Sequence, residues 1–349
     1  MPCEDAHPID GSRSAYQCIY CPHQSGKDGF TREHVLSEAF GKFKQTLVLH
    51  RYVCAGCNEF FANGSELLLT RNAFEGFVRY QTGIKKAQPG AVRLSQVEFE
   101  MPPTGAWAGV RLRLVGRDGG VVFCPDAQLG YFSDSRQRWI YVTEPEIDGG
   151  TLAEHPEAKK KGVLFRLFAS TADAHDALIS KLTSWGINYT QNGQLGTVYD
   201  MLGESEDLVA VTFTLNKSIW RCIAKYALNY LACGRGNRFA CLPDFDAVRK
   251  YARYGTEPGY SLIGSGFTPI LQDDEADMRQ TKGHLITLSW DGSGQNLFCD
   301  VSIFNQITYR VLLCRGFTGL WRPIRNGHHY DLRDMSVKPL LGISKSLMW

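Results

Sequence analysis

The sequence predicts a mixed α+β protein in which a small N-terminal module precedes a larger α+β accessory region. Two Cys-x-x-Cys pairs lie near the start of the chain, and these cysteines are Cys18, Cys21, Cys54 and Cys57. Beyond them, segments with strand and helix periodicity do not alternate strictly, which favours α+β over a doubly wound sheet. A basic, turn-forming stretch at residues 85–90 separates the two parts. We therefore place the module in residues 1–88 and the accessory region in residues 89–349.

Composition and charge are those of an ordinary soluble globular protein. The 349 residues are 44% hydrophobic and 21% charged, with a formal net charge of +2. The N-terminus is acidic and no apolar run follows it, and no stretch is long enough to span a membrane, which needs about 18 or more apolar residues. The cysteines outside the two pairs are scattered, which is typical of free thiols in a reducing compartment. We expect a cytoplasmic protein without a membrane segment.

Strand patterns dominate the region that follows the module. Residues 110–115 alternate apolar and basic side chains, as a half-buried strand does, and the turn residues Asp118-Gly-Gly120 follow. Ser170 or Thr171 is placed to cap a helix that ends near Trp185. The other strand candidates are residues 121–123, 139–142, 163–168 and 208–214.

A second helix is predicted from apolar residues at helical spacing between positions 219 and 231, interrupted by Arg221 and Lys225. Gly234 and Gly236 end the pattern. The remaining candidates are a short helix at 245–254 and strands at 285–290, 297–304 and 307–314, with a tight hairpin at Asn305-Gln306.

The paired cysteines predict a metal site. Each Cys-x-x-Cys turn lets two sulfur atoms face one ion, and the two pairs are separated by 32 residues. Four thiolates suit a tetrahedral, structural Zn²⁺. The alternative is two redox-active or simply buried cysteine pairs.

A candidate reaction centre lies within the same segment. Glu33 and His34 stand between the pairs, and Asn58 directly follows the last cysteine. This arrangement resembles the HNH, or His-Me finger, nucleases, and in particular the endonuclease VII branch, in which zinc knuckles bracket a ββα-metal site. The resemblance covers residues 18–58 and continues more weakly to residue 79. The central asparagine of HNH motifs has no obvious counterpart here, and Gln45 or His50 are the residues that could replace it.

The resemblance implies a role for each of the three residues. His34 would be the general base that takes a proton from the attacking water. Glu33 and Asn58 would hold one divalent ion, Mg²⁺ or Mn²⁺, beside the scissile phosphate. Because neighbouring residues of a strand point to opposite faces, Glu33 and His34 can serve one phosphate only where the strand ends or bulges. Asn58 has a second interpretation as the cap of the following helix, and Glu66 is either a further carboxylate of the site or an ordinary helix-face residue.

Basic residues near this segment are candidates for phosphate contacts. They are Arg32, Lys42, Lys44, Arg71 and Arg79. Arg71, Glu75 and Arg79 follow one another at four-residue steps, so an intrahelical ion-pair ladder is an equal alternative for this group.

The function that the resemblance implies is a metal-dependent endonuclease that hydrolyses DNA phosphodiester bonds. The accessory region would then serve target recognition, partner binding or oligomerisation, and cutting both strands of a duplex makes a homodimer attractive. The alternative is a zinc-finger protein that binds nucleic acid or another protein and carries a degenerate nuclease site.

Overall fold

The computed structural model describes residues 16–105, 107–148, 155–169, 171–187, 209–267, 283–317 and 326–341. The chain divides into two compact units. Unit 1 joins Met1–Ile84 with Leu215–Trp349, and unit 2 is Lys85–Thr214. The sequence analysis assigned 89–349 to one accessory region, whereas here residues 215–349 belong with the N-terminal segment.

The N-terminal part of unit 1 contains a hairpin, a second antiparallel strand pair and a helical stretch. The hairpin strands are β1 (Tyr16–Gln17) and β2 (Gln24–Ser25), and the second pair is β3 (Phe30–His34) and β4 (Val48–Cys54). Helix α1 (Ala55–Phe61) follows β4 directly, and a π-helical turn (Ala62–Glu66) leads into α2 (Leu67–Arg71). Helix α3 (Phe74–Gln81) completes this part. The order in this part of the chain is therefore strand β3, its partner strand β4 and then helix α1.

In the part of unit 2 that the structure describes, the chain forms two antiparallel sheets and two α-helices. Its elements are β5 (Gly90–Val92), β6 (Val97–Glu100), β7 (Arg111–Arg117), β8 (Gly120–Pro125), β9 (Gln128–Ser133), β10 (Arg138–Thr143), α4 (Glu144–Asp148), β11 (Phe165–Phe168), α5 (Ala172–Ser184) and β12 (Ala210–Phe213). One sheet has the order β12-β6-β7-β5 with β8 also paired to β7, and the other has the order β10-β9-β11. Helix α5 buries Leu178 and Leu182 against Leu129 and Val142.

The predictions for unit 2 hold in type and approximate position. Strands β7, β8, β10 and β11 lie at the predicted places, and the 208–214 candidate corresponds to β12, although residue 208 lies outside the described residues. Thr171 caps α5 by accepting a hydrogen bond from the Ala174 amide at 3.2 Å. Ser170, the alternative cap, also lies outside the described residues.

Three helices begin the C-terminal part of unit 1. They are α6 (Lys217–Arg235), α7 (Asn237–Ala240) and α8 (Asp246–Tyr254). Asn216 caps α6, because its Oδ1 accepts hydrogen bonds from the Ser218 and Ile219 amides at 3.0 and 3.1 Å. Most of α6 is buried, including Lys225 and Asn229, so this helix runs through the interior of unit 1 rather than along its surface.

A six-stranded antiparallel sheet completes unit 1, with the order β13-β16-β15-β14-β17-β18. Its strands are β13 (Ile263–Gly266), β14 (Gly283–Trp290), β15 (Leu297–Ile303), β16 (Ile307–Cys314), β17 (Asn326–Asp331) and β18 (Ser336–Leu341). Phe304 and Asn305 have φ near +58° and +54° in the predicted hairpin between β15 and β16.

The mixed α+β class is confirmed. Among the helices that the structure describes, none combines the length and the apolar character needed to cross a membrane.

Candidate functional site

The four predicted cysteines form one cluster. Cys18 and Cys21 flank the turn of the β1–β2 hairpin, Cys54 ends β4, and Cys57 lies in the first turn of α1. Their sulfur atoms all lie within 4.8 Å of one another, and all four cysteines are free thiols. Cys21 and Cys54, which are 33 positions apart in the chain, therefore lie in one cluster, as the spacing of the cysteines predicted.

The cluster is compatible with a structural zinc ion. Tetrahedral coordination with Zn–S bonds of about 2.3 Å places neighbouring sulfur atoms about 3.8 Å apart. The Cys21 and Cys54 sulfur atoms are 3.6 Å apart. The sulfur set thus has both the chemistry and the spacing that zinc requires.

Hydrogen-bond donors surround the sulfur atoms. The amides of Tyr20 and Cys54 approach Cys18 Sγ at 3.4 and 3.5 Å, and Arg253 Nε of α8 lies 3.3 Å from Cys57 Sγ. A hydrogen bond from Cys57, with these amides, outweighs burial and lowers the pKa of Cys18 to about 5. Donors of this kind stabilise thiolates and orient them toward a metal ion. Arg253 also stacks on Phe60, with its guanidinium carbon 3.9 Å from the ring centre.

Glu33 points into the protein rather than toward solvent, and its side chain is only 5% exposed. The Lys225 ammonium donates a hydrogen bond to Glu33 Oε1, and Asn229 Nδ2 donates to the same oxygen at 3.2 Å. Lys225 also lies 2.7 Å from Glu66 Oε1. Helix α6 thus brings one buried cation between two carboxylates.

Charge and burial shift the pKa values of Lys225 and Glu33 in opposite directions. Burial lowers the pKa of Lys225, but the charges of Glu33 and Glu66 outweigh it, and the pKa lies above its usual value. Burial raises the pKa of Glu33, and the Lys225 charge opposes that shift. Lys225 is therefore an ammonium ion, and two carboxylates share its single positive charge.

Lys225 and Asn229 are the residues that sequence reasoning did not place in the site. Asn229 Nδ2 donates to the main-chain oxygen of His34 at 3.1 Å, besides its bond to Glu33. Tyr20, between the first two cysteines, donates from its hydroxyl to Asn229 Oδ1 at 2.6 Å. The available signal was a lysine and an asparagine four residues apart on an otherwise apolar helix.

His34 lies at the end of β3, and its side chain is 20% exposed. Its Nε2 is 3.2 Å from Glu38 Oε1, whereas Nδ1 is buried and has no hydrogen-bond partner among the described residues. Burial lowers the pKa of His34, and the charge of Glu38 opposes the shift. A carboxylate beside Nε2 favours the tautomer with the proton on that nitrogen, which leaves Nδ1 as the basic atom.

Asn58 holds β3 in place. Its Nδ2 donates to Thr31 Oγ1 at 2.7 Å and to the Arg32 main-chain oxygen at 3.2 Å. The alternative role as a helix cap is wrong, because α1 begins at Ala55 and Cys54 occupies the cap position. Glu66 is likewise not an ordinary helix-face residue, since the π-helical turn directs it to Lys225.

Glu33 and Asn58, the predicted ligands of a catalytic ion, already take part in hydrogen bonds. Lys225 and Asn229 both bind Glu33 Oε1, and Asn58 makes its hydrogen bonds through Nδ2. None of these bonds uses Glu33 Oε2 or Asn58 Oδ1, and oxygen atoms of these two kinds are donors that Mg²⁺ accepts. Glu33 and His34 nevertheless leave the strand toward opposite sides, since one is buried on α6 and the other faces Glu38.

The basic candidates lie in different settings. Arg32, Lys42, Lys44 and Arg71 are exposed. Arg79 instead donates to the main-chain oxygen of Thr70, and burial lowers its pKa. The ion-pair ladder is wrong, because Arg71 ends α2 before α3 begins, and buried Glu75 accepts a hydrogen bond from Tyr309. Of the two candidates for the central asparagine, Gln45 has φ near +55° in an exposed turn, and His50 is exposed on β4.

Comparisons with known proteins gave no matching family model, no matching curated protein and no matching solved structure.

Proposed function

We propose that this chain is a metal-dependent endonuclease that hydrolyses DNA phosphodiester bonds, with His34 as the general base. The observation that carries the proposal is the position of His34 at the end of β3, where β3, β4 and α1 follow one another and the four cysteines fix both ends of the segment. Asn229 fixes its main chain and Glu38 faces its Nε2.

The residues divide the chemistry between them. The neutral imidazole of His34 accepts the proton of the attacking water, and Glu38 faces its Nε2. Glu33 and Asn58 would hold a Mg²⁺ or Mn²⁺ ion, which supplies a positive charge for the phosphate oxygens when bound. The cysteine cluster has a separate, structural role.

A plasmid assay tests the proposal directly. Purified protein is incubated with supercoiled DNA, with and without Mg²⁺ or Mn²⁺, beside His34→Ala and the control His175→Ala. His175 lies on α5 in unit 2 and pairs with Asp176, so its loss leaves the candidate site intact. We expect metal-dependent nicking that His34→Ala abolishes and His175→Ala retains, with equal zinc content in all three proteins. Cleavage by His34→Ala at the wild-type rate contradicts the assignment.

One observation favours a second function, binding without cleavage. The inward orientation of Glu33 and its bond to Lys225 are those of a structural carboxylate. A protein that binds DNA in a salt-sensitive way, but cleaves neither duplex, branched nor single-stranded DNA with either ion, supports this alternative.

A further inference from the structure

Strand β4 contains a bulge that the sequence analysis did not include. Thr31 pairs with Val53, but the next residue, Arg32, pairs with His50, so Arg51 and Tyr52 are extra residues on β4. Arg51 has φ near +66°, in the left-handed region that favours glycine. A non-glycine residue held there is strained, and such positions cluster at functional sites, as bulges do.

Residues of the β1–β2 hairpin, which carries Cys18 and Cys21, hold Arg51 in this conformation. The Arg51 guanidinium lies over the Tyr16 ring at 5.1 Å from the ring centre, and Nη1 donates to the Tyr16 hydroxyl at 3.2 Å. The Ile19 amide donates to the main-chain oxygen of Tyr52 at 3.0 Å. Arg51 is therefore oriented in advance by residues next to the cysteine cluster.

A cleft of about 440 Å³ opens at the bulge. It is lined by Phe30, Thr31, Arg32, His50 and Arg51, and we name it the bulge cleft. Two guanidinium groups and an imidazole line it, and of the described residues that do so none is acidic. The Asn58 side chain donates hydrogen bonds to Thr31 and Arg32, which both line the cleft. The cleft therefore lies along β3, the strand that carries Glu33 and His34.

We propose that the bulge cleft binds a backbone phosphate of the substrate strand, next to the phosphate that is cleaved. Guanidinium groups suit this ligand, because each presents a planar fork of donors to phosphate oxygens. Contacts of this kind position the strand and do not read its bases. The inference rests on the proposed function for the identity of the ligand, but it concerns binding rather than cleavage.

The test measures DNA binding in the full chain without cleavage. Binding of a short fluorescein-labelled DNA duplex is followed by anisotropy over a range of salt concentrations, in the His34→Ala background. Arg32→Gln and Arg51→Gln are compared with Arg138→Gln, a change of equal charge at an exposed position of unit 2. We expect each cleft variant to weaken binding on the order of tenfold and to lower the salt slope by about one, with no change for Arg138→Gln.

Arg51→Gly separates binding from folding. Glycine adopts a φ of +66° without strain, which offsets the Tyr16 contacts that this variant loses, so the variant should remain folded. It should nevertheless bind the duplex as weakly as Arg51→Gln. Weakened binding with retained stability supports the bulge cleft, and unchanged affinity and salt slope in Arg32→Gln and Arg51→Gly overturn it.

The plasmid assay, repeated with the cleft variants in the wild-type background, distinguishes this inference from the proposed function. If the wild-type chain cleaves plasmid while the cleft variants bind and cleave normally, the cleft proposal fails and the nuclease stands. If the cleft variants lose binding but the wild-type chain cleaves no DNA, the cleft stands and the nuclease fails.

Discussion

Lys225 and Glu33 are 192 residues apart in the chain, yet the Lys225 ammonium donates a hydrogen bond to Glu33 Oε1 in the interior of unit 1. The lysine side chain is fully buried and also contacts Glu66. This pair connects the strand that carries His34 to helix α6.

Removing the buried cation should destabilise unit 1 strongly. Lys225→Met leaves the Glu33 carboxylate buried without its partner, and the loss of one member of a buried ion pair costs about 3–5 kcal/mol. Urea unfolding measures the change. Lys250→Met is the control, because Lys250 forms an exposed pair with Asp246, and it should change stability by less than about 0.5 kcal/mol. Equal stability of the wild-type and Lys225→Met proteins would show that the buried pair does not form.

Asn229 should act by positioning the Glu33-His34 pair. In Asn229→Asp an oxygen replaces the amide nitrogen that donates to Glu33 Oε1 and to the His34 main chain, so attraction becomes repulsion. We expect cleavage to fall roughly 10- to 100-fold, as for other residues that orient ligands of a site. Restoration of the rate at higher Mg²⁺ concentration would distinguish positioning of Glu33 from general unfolding. Wild-type cleavage by Asn229→Asp at every Mg²⁺ concentration excludes this role.

The cysteine cluster should bind about one zinc ion per chain. Cys57→Ser removes one ligand, so elemental analysis should show loss of most of the zinc, and the melting temperature should fall. The matched control is Cys124→Ser, a free cysteine in unit 2 outside the cluster. Equal zinc content in the two variants would contradict the assignment of these four ligands.

The buried carboxyl group of Glu75 should make the free energy of unfolding depend on pH. Burial raises the pKa of Glu75 from 4.5 to about 7, against the hydrogen bond from Tyr309. The folded protein therefore holds this proton more tightly than the unfolded chain. This difference in proton affinity stabilises the folded protein below pH 4.5. The stabilisation, roughly 3 kcal/mol, is lost as the pH rises through 7.

Glu75→Gln removes this titration. The free energy of unfolding of the wild-type protein should fall relative to that of Glu75→Gln between pH 4.5 and 7, when both are measured by urea unfolding. A difference that stays constant across this range would show that Glu75 titrates normally.

Sequence reasoning succeeded where the determining interactions are local. The spacing of Cys18, Cys21, Cys54 and Cys57 was sufficient to predict the cluster, because each pair lies in one short turn. The apolar spacing of α6 and the alternation of β7 similarly predicted their elements.

Sequence reasoning missed the features in which the contacting residues are far apart in the chain or the backbone departs from regular geometry. The partner of Glu33 is on a helix encoded far along the chain, so neither its burial nor its ion pair leaves a local signal. The π-helical turn redirects Glu66, and the bulge at Arg51 creates a cleft, although no glycine marks that position in the sequence.

The division of unit 1 into two chain segments has a consequence for its biosynthesis. Residues 18–57 leave the ribosome early, so zinc can be bound while unit 2 is still being made. Lys225 follows Glu33 by 192 residues, a delay of roughly 10–40 s at usual elongation rates. We expect the nascent chain to acquire its metal first and to complete the surroundings of His34 only after this interval. Under the proposed function, the chain would stay inactive during most of its own translation.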